Sequence, residues 1–293
     1  MPQPLLVTGA GGQLGRSVVD NLLASGAGHI IATTRDPSKL ADLAAKGVEV
    51  RRADFDDAAS LPTAFAGAGR VLIISTDALD RPGRRLEQHL SAVAAAKAAG
   101  VKHLVYTSMP KPEPGSAVIF APDHFGTETA IKESGLGYTI LRNSWYQENL
   151  MMSLPSVLGS GLWFTSAGAG KVAHVAREDA ARVAAAALAS GSDESLTLDV
   201  TGPEALTTEQ IAALVSDVVG KPIQVMQVTD EQLAGGMKQA GVPDFLVPLL
   251  VSFDANTRNG GLTPPTDTVE RLTGLRPRPL RAFLEAVKPA LVG

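Results

Sequence analysis

Short apolar runs without polar alternation recur through the first half of the chain. They are Leu5-Leu6-Val7, Ile30-Ile31-Ala32, Val48-Glu49-Val50, Val71-Leu72-Ile73-Ile74, Leu104-Val105-Tyr106 and Tyr138-Thr139-Ile140-Leu141. Runs of this kind suit strands covered on both faces. Between them lie Ala-rich stretches with helix punctuation. Asp36-Pro37 opens the segment Ser38 to Lys46, with Asp as N-cap and Pro in the first turn, and Gly47 closes it; Gly26 and Gly100 end two others. Parallel neighbours need crossover connections, so this alternation predicts an α/β fold, a doubly wound parallel sheet with helices on both faces.

Beyond about residue 150 the pattern loosens. It still predicts a helix over Glu178 to Ala189, strands near Leu196 to Val200 and Ile223 to Val228, and a capping box at Thr207-Thr208-Glu209-Gln210 before a helix over Ile211 to Val219. No Ser/Gly/Pro-rich linker marks a boundary. The expectation is a Rossmann-type domain over residues 1–152 and a smaller α/β lobe over 153–293, interleaved with it, some of whose segments return to the first domain.

With 45% hydrophobic and 19% charged residues in 293, the chain is too apolar to stay disordered. Its longest uninterrupted hydrophobic run, Val183 to Ala189, falls far short of the ~20 residues needed to span a bilayer. No basic segment precedes an apolar stretch at Met1-Pro2-Gln3-Pro4, so the expected location is cytoplasmic. The absence of cysteine removes disulfides, thiolate nucleophiles and Cys-ligated metals, so redox chemistry would need a bound cofactor. The five histidines are scattered without ligand spacing, and no metal is expected. A net charge of −4 without a basic block argues against nucleic acid.

Directly after the first strand stands Thr8-Gly9-Ala10-Gly11-Gly12-Gln13-Leu14-Gly15, followed by a helical run from Arg16 to Ala24. Glycines at 9, 12 and 15 allow a tight turn, close approach of main-chain N–H groups to phosphate, and close helix packing. The helix N-terminus adds unpaired donors. In a strand-turn-helix context this predicts a dinucleotide pyrophosphate site. About 20 residues on, the second strand ends in Thr33-Thr34-Arg35-Asp36-Pro37. Asp36 has a sufficient task as N-cap, which leaves Arg35 for a ribose 2′-phosphate, with Lys39 one turn on, and favours NADP over NAD. Arg35 as a merely solvated side chain is the other reading. Asp54-Phe55, Ser75-Thr76 and Thr107-Ser108 follow later strands and are expected either along the cofactor or in local turns.

The acid-base pair Tyr-x-x-x-Lys of short-chain dehydrogenases is missing: four residues beyond Tyr106, Tyr138 and Tyr146 stand Pro110, Arg142 and Leu150. In the corresponding helix, His124 and Glu128 occupy positions i and i+4. This argues against sugar-nucleotide epimerase chemistry, which uses the pair.

The glycine loop, Arg35-Asp36-Pro37, Ala53-Asp54-Phe55, the helix from Asp123-His124 to Glu128, and Leu141-Arg142-Asn143-Ser144-Trp145-Tyr146-Gln147-Glu148-Asn149 together resemble the NmrA-like, atypical branch of the short-chain dehydrogenases over nearly the whole chain. Within it the sequence looks most like bacterial NADPH:quinone oxidoreductases, then triphenylmethane dye reductases. The resemblance implies an NADPH-dependent enzyme without a tyrosine acid, with Asn143 lining the nicotinamide and substrate pocket and the loop Ala167 to Lys171 near the cofactor. Trp145 and Tyr146 then either stack on an aromatic acceptor such as a quinone or pack in the core. His124 either donates a proton to the reduced ring or bonds the Asn143 region; Glu128 either orients His124 or is a surface carboxylate. The same branch contains non-catalytic NADP-binding regulators, so a redox sensor is the second expectation; an exposed apolar patch near Phe245 to Phe253 would favour it, and an aromatic pocket over the nicotinamide would favour reduction. A homodimer is compatible with either.

Overall fold

The computed structural model describes residues 3–292. Strands β1 (Leu5–Val7), β2 (Ile30–Thr34), β3 (Glu49–Arg52), β4 (Arg70–Ile73), β5 (His103–Ser108) and β6 (Gly137–Asn143) alternate with helices α1 (Gln13–Ala24), α2 (Ala41–Ala45), α3 (Leu61–Phe65), α4 (Arg84–Ala98) and α5 (Ala121–Glu133). The chain continues through α6 (Leu154–Ser160), β7 (Leu162–Thr165), α7 (Arg177–Ala189), β8 (Leu196–Val200), α8 (Thr208–Val219), β9 (Gln224–Gln227), α9 (Asp230–Gln239), α10 (Val247–Arg258), α11 (Thr268–Thr273) and α12 (Leu280–Val292).

One seven-stranded parallel sheet has the order β3-β2-β1-β4-β5-β6-β8. The order reverses between β1 and β4, the switch point beyond whose carboxyl strand ends ligands bind in open α/β sheets. Adjacent residues of a strand feed opposite faces. Leu5 and Val7 join a cluster with Val18, Val19 and Leu22 of α1 and Ala181, Ala184 and Leu188 of α7, whereas Leu6 points into the cluster of Phe65, Ala92, Val93 and Ala96 under α3 and α4. Burial on both faces is the reason these strands lack alternation, and each fully buried aliphatic side chain contributes roughly 1.5–3 kcal/mol.

The helix expected over 38–46 forms as a 3₁₀ turn, Pro37–Leu40, followed by α2, with Asp36 accepting from the Ser38 main-chain N–H at 3.1 Å. Strands β5 and β6 run further than expected. Thr107 and Ser108 pair with Leu141 and Arg142, and Asn143 pairs with Val200, so these polar residues are the last rungs of the ladder rather than loop residues beyond it.

After β6 the chain leaves the sheet to build α6 and β7, returns with α7 against α1 and β8 against β6, and leaves again. A second, two-stranded parallel sheet pairs β7 with β9. A separate core there gathers Leu154, Leu158, Ile211, Val215, Phe283 and Leu284. Helix α8 begins with the full capping box of Thr207 and Gln210. Among the described residues no helix is long and apolar enough to cross a membrane, and no group of His, Asp and Glu is placed to hold a metal.

Candidate active site

Gly9 leaves β1 with φ +61°, a left-handed conformation that costs glycine nothing, and its carbonyl accepts from Gly12 N–H at 2.9 Å. At Gly15 a Cβ would lie 2.4 Å from Gly9 O and 2.9 Å from Ala10 Cα, so only glycine lets α1 start this close to the turn. Helix α1 has Gly12 as N-cap, no side-chain cap and no acid in its first turn. Its first N–H groups therefore remain available beside exposed Gly11, Gly12 and Gln13. Leu14 packs against the core, and Thr8 is buried, its hydroxyl accepting from Ile74 N–H at 3.0 Å. Thr8 thus stitches β1 to the end of β4 from beneath the loop.

Arg35 is exposed at the end of β2, and among the described residues it makes no hydrogen bond or ion pair, while Asp36 is fully used as a cap. Asp54 turns the chain after β3 by accepting from Asp56 N–H at 3.1 Å, and Phe55 packs against the α3–α4 core. Thr107 accepts from Ser75 N–H at 2.9 Å, which ties the segment after β4 to β5, and Thr76 N–H donates to His89 Nε2 at 3.0 Å, which ties it to α4. The Thr76 hydroxyl is buried without a partner.

His124 and Glu128 lie one turn apart on α5, both buried, in separate networks. Arg85 of α4 donates to His124 Nε2 at 3.3 Å, and since an arginine only donates, the imidazole proton sits on Nδ1 and faces the Tyr106 hydroxyl at 2.8 Å. Burial first, then the charge of Arg85, holds the His124 pKa well below its ordinary value. His89 is likewise pushed down to about 3 by burial and Arg85. Neutral His124, with both nitrogens engaged, has no proton in excess, which weighs against the donor role expected of it, and it does not bond Asn143.

Glu128 neither orients His124 nor lies on the surface. It is 1% exposed, and its carboxylate accepts from Ser108 Oγ at 2.7 Å and from Arg142 Nε and Nη2 at 2.9 and 2.7 Å. Arg142 also reaches Glu113, at 2.6 Å, in the proline-rich loop before α5. Lys111 Nζ donates to Gly260 O at 2.9 Å and fastens the same loop to the second lobe.

Under that loop, aromatic rings cross from one lobe to the other. Phe120 stacks near His124, Phe253 of α10 lies 5.9 Å from Phe120, and Trp145 lies 4.9 Å from Phe253. Phe253 thus turns inward, and of the large side chains between Phe245 and Phe253 Phe245 stands out, 71% exposed. Buried polar atoms without partners collect nearby: Asn143 Oδ1, Ser144 Oγ, Trp145 Nε1 and Ser166 Oγ. Asn143 uses its amide N–H to donate to the Tyr146 hydroxyl at 3.2 Å. Unsatisfied buried donors and acceptors are costly and rare, which makes these four atoms candidates for contact with a polar ligand.

The sequence profile of the NmrA-like family matches residues 1–253. Quinone oxidoreductase 2 of Escherichia coli K12 is 36% identical over 271 residues, 92% of this chain and 93% of that protein. The chain belongs to the NmrA-like family. Among solved structures, the Escherichia coli NADPH-dependent quinone oxidoreductase complexed with NADPH superposes with TM-score 0.90 at 35% identity, covering 96% of this chain and 99% of that one. The Citrobacter triphenylmethane reductase complexed with NADP(H) superposes with TM-score 0.89 at 33% identity, covering 97% and 99%.

In this NmrA-like chain the loop Ala167 to Lys171 borders a cavity of about 490 Å³ with Thr257, Arg258, Leu262 and Pro264, and Lys171 is exposed at its edge. The cavity lining includes none of Gly9 to Gly15, Arg35, Asn143 or Trp145. Sequence reasoning missed Arg85, His89 and Phe253 as parts of the site. Arg85 and His89 stand at i and i+4 on α4 as His124 and Glu128 do on α5, a spacing that would have shown two buried polar faces meeting.

Proposed function

We propose that the chain is an NADPH-dependent reductase that passes a hydride to a quinone or a similar conjugated aromatic acceptor. The observation that carries this reading is an uncapped glycine turn at the switch point of the sheet together with unpartnered Thr76 Oγ1 past the end of β4 and Asn143 Oδ1 and Trp145 Nε1 at and past the end of β6, all on the carboxyl side of the strands. The turn suits a pyrophosphate and the orphaned atoms suit a carboxamide and ribose. The likeness to a quinone oxidoreductase and a triphenylmethane reductase, both with solved cofactor complexes, supports it.

In this reading residues 1–152 form the cofactor domain and 153–293 the substrate lobe, with residues 177–200 returning to the sheet. Main-chain N–H groups of Gly11, Gln13, Leu14 and Gly15 take the pyrophosphate, with Gly9 making the turn, Gly12 closing it through its own N–H to Gly9 O, and Thr8 supporting it from beneath. Arg35 takes the 2′-phosphate, a group its planar donors suit. Asp54 and Phe55 flank the adenine, Ser75, Thr76, Thr107 and Ser108 border the riboses, and Asn143 and Lys171 close the nicotinamide end. When bound, NADPH supplies the hydride. Trp145 and Phe253 give the acceptor a flat wall beside it, with Tyr146 behind, so orientation carries most of the rate. Reduction of a quinone by hydride leaves a phenolate, far more stable than an alkoxide, which solvent can protonate; no acid is needed from His124. The expected location is the cytoplasm, and a homodimer is compatible with the exposed surfaces.

The test is cofactor oxidation by purified protein with quinones and cationic dyes. Rapid acceptor-dependent loss of NADPH supports the reductase; tight NADPH binding without turnover on any acceptor moves the assignment to a sensor. Unchanged turnover across pH in His124→Ala is expected, and a drop in rate together with loss of the alkaline limb in that variant would restore its acid role.

A further inference from the structure

Arg177 opens α7, and its main-chain N–H is taken by the Glu148 carboxylate at 3.0 and 3.2 Å. Its side chain turns away from that acid. The guanidinium donates from Nη1 to the side-chain oxygen of Gln13, the first residue of α1, and its carbon lies 5.4 Å from the centre of the Tyr146 ring. Of its five N–H donors, only this one has a hydrogen-bond partner among the described residues, and no carboxylate forms an ion pair with it.

The other arginine beside the glycine loop, Arg16, is already spent on Asp42. A pyrophosphate carries about two negative charges, against which a helix N-terminus sets only about half a positive one. Arg177 is therefore the side chain through which the loop would gain a full positive charge. A second, independent observation points the same way. Tyr146, on which the guanidinium rests, accepts at its hydroxyl from Asn143 Nδ2 at 3.2 Å, and Asn143, 6% exposed, keeps its Oδ1 buried and unpartnered. Gln13, Arg177, Tyr146 and Asn143 thus form one continuous line from the phosphate end of the candidate site to the end that awaits a polar ligand.

We propose that Arg177 is the cation that binds the cofactor's pyrophosphate, and that through Tyr146 it positions Asn143 at the nicotinamide end. This rests on the reading of the chain as an NADPH-binding reductase. The guanidinium's resting partner is the neutral Gln13 oxygen, and an anion competes for its N–H groups better than a neutral amide does.

Three ligands separate the contributions in titration calorimetry on the full chain: NADP⁺, 2′-phospho-ADP-ribose, which keeps the pyrophosphate but lacks nicotinamide, and 2′-AMP, which lacks the pyrophosphate. Arg177→Gln is expected to weaken the first two about 10- to 100-fold and to leave 2′-AMP unchanged, with Arg177→Lys recovering part of the loss. Arg35→Gln should differ by losing affinity for 2′-AMP as well as for the other two. Equal losses for 2′-AMP in both Arg177 variants would mean general loosening of the lobe and overturn the proposal, as would unchanged affinity for NADP⁺. Failure of the unmodified protein to bind NADP⁺ would remove the functional reading itself and the proposal with it.

Discussion

At the β1 end of the candidate site the groups offered to a ligand are main-chain N–H groups on a glycine turn, with exposed Arg35 and half-exposed Arg177 at its margin. At the β5–β6 end they are side chains, and most are already paired: Ser108 with Glu128, Thr107 with Ser75, His124 with Arg85 and Tyr106. The first end suits an anion under the proposed reading, because most of its donors have no partner among the described residues. The second is a rigid wall with a few unpartnered atoms, Asn143 Oδ1 and Trp145 Nε1 among them, which suits holding a ring in place more than moving a proton. The two ends should therefore fail differently when altered.

The largest effect is expected at the wall. Glu128→Leu removes one partner of a buried ion pair and leaves Arg142 without its main counter-charge, so unfolding in urea should lose about 3–5 kcal/mol. A loss below ~1 kcal/mol would show that Arg142 finds equal partners elsewhere. At the other end, Gly15→Ala brings a methyl against the Gly9 and Ala10 backbone, and about 1–3 kcal/mol of strain should appear mainly as ~10- to 100-fold weaker NADPH binding. Undiminished binding would contradict the pyrophosphate assignment.

The contrast between the ends also explains what was legible in the sequence. Glycine spacing, the Asp36-Pro37 cap and uninterrupted apolar strands act through local backbone geometry, and the doubly wound sheet and the turn at its switch point follow from them. The wall depends on pairs far apart in the chain, such as Arg85 with His124 or Trp145 with Phe253, 108 positions apart by their numbering. No short window contains them. His124 and Glu128 were legible as an i, i+4 pair, but which partner each takes is decided by α4 and β6. Whether the apolar stretch around Phe253 is exposed is open in the sequence, because nothing in it says which of its residues turns inward.

Apart from single substitutions, a graded effect summed over four buried imidazoles is expected with pH. Burial holds His89 at about 3 and His103 and His174 at about 4, and depresses His124 as well. Below about 6.5 the unfolded chain takes up protons that the folded chain refuses, so this contribution to stability is complete above that pH and shrinks as pH falls toward 4 and 3. Each imidazole costs up to ~1.4 kcal/mol per pH unit in that window. Urea midpoints from pH 7.5 to 5 should fall accordingly, and His103→Gln should flatten the slope; a flat profile in the unmodified protein would mean that these rings are hydrated.

The smallest change in structure, and a selective one in function, is Arg35→Ala. Because Arg35 is exposed and unpaired, stability should be unaffected while affinity for NADPH falls about 10-fold or more and that for NADH stays the same. Equal losses for both cofactors would remove the 2′-phosphate from Arg35.

The most direct test of the account is single-turnover mixing of the NADPH-loaded protein with a benzoquinone, a naphthoquinone and a cationic dye, following nicotinamide absorbance. The account predicts acceptor-dependent oxidation of the bound NADPH at a rate unchanged in His124→Ala. NADPH that stays bound and reduced in the presence of every acceptor would contradict it.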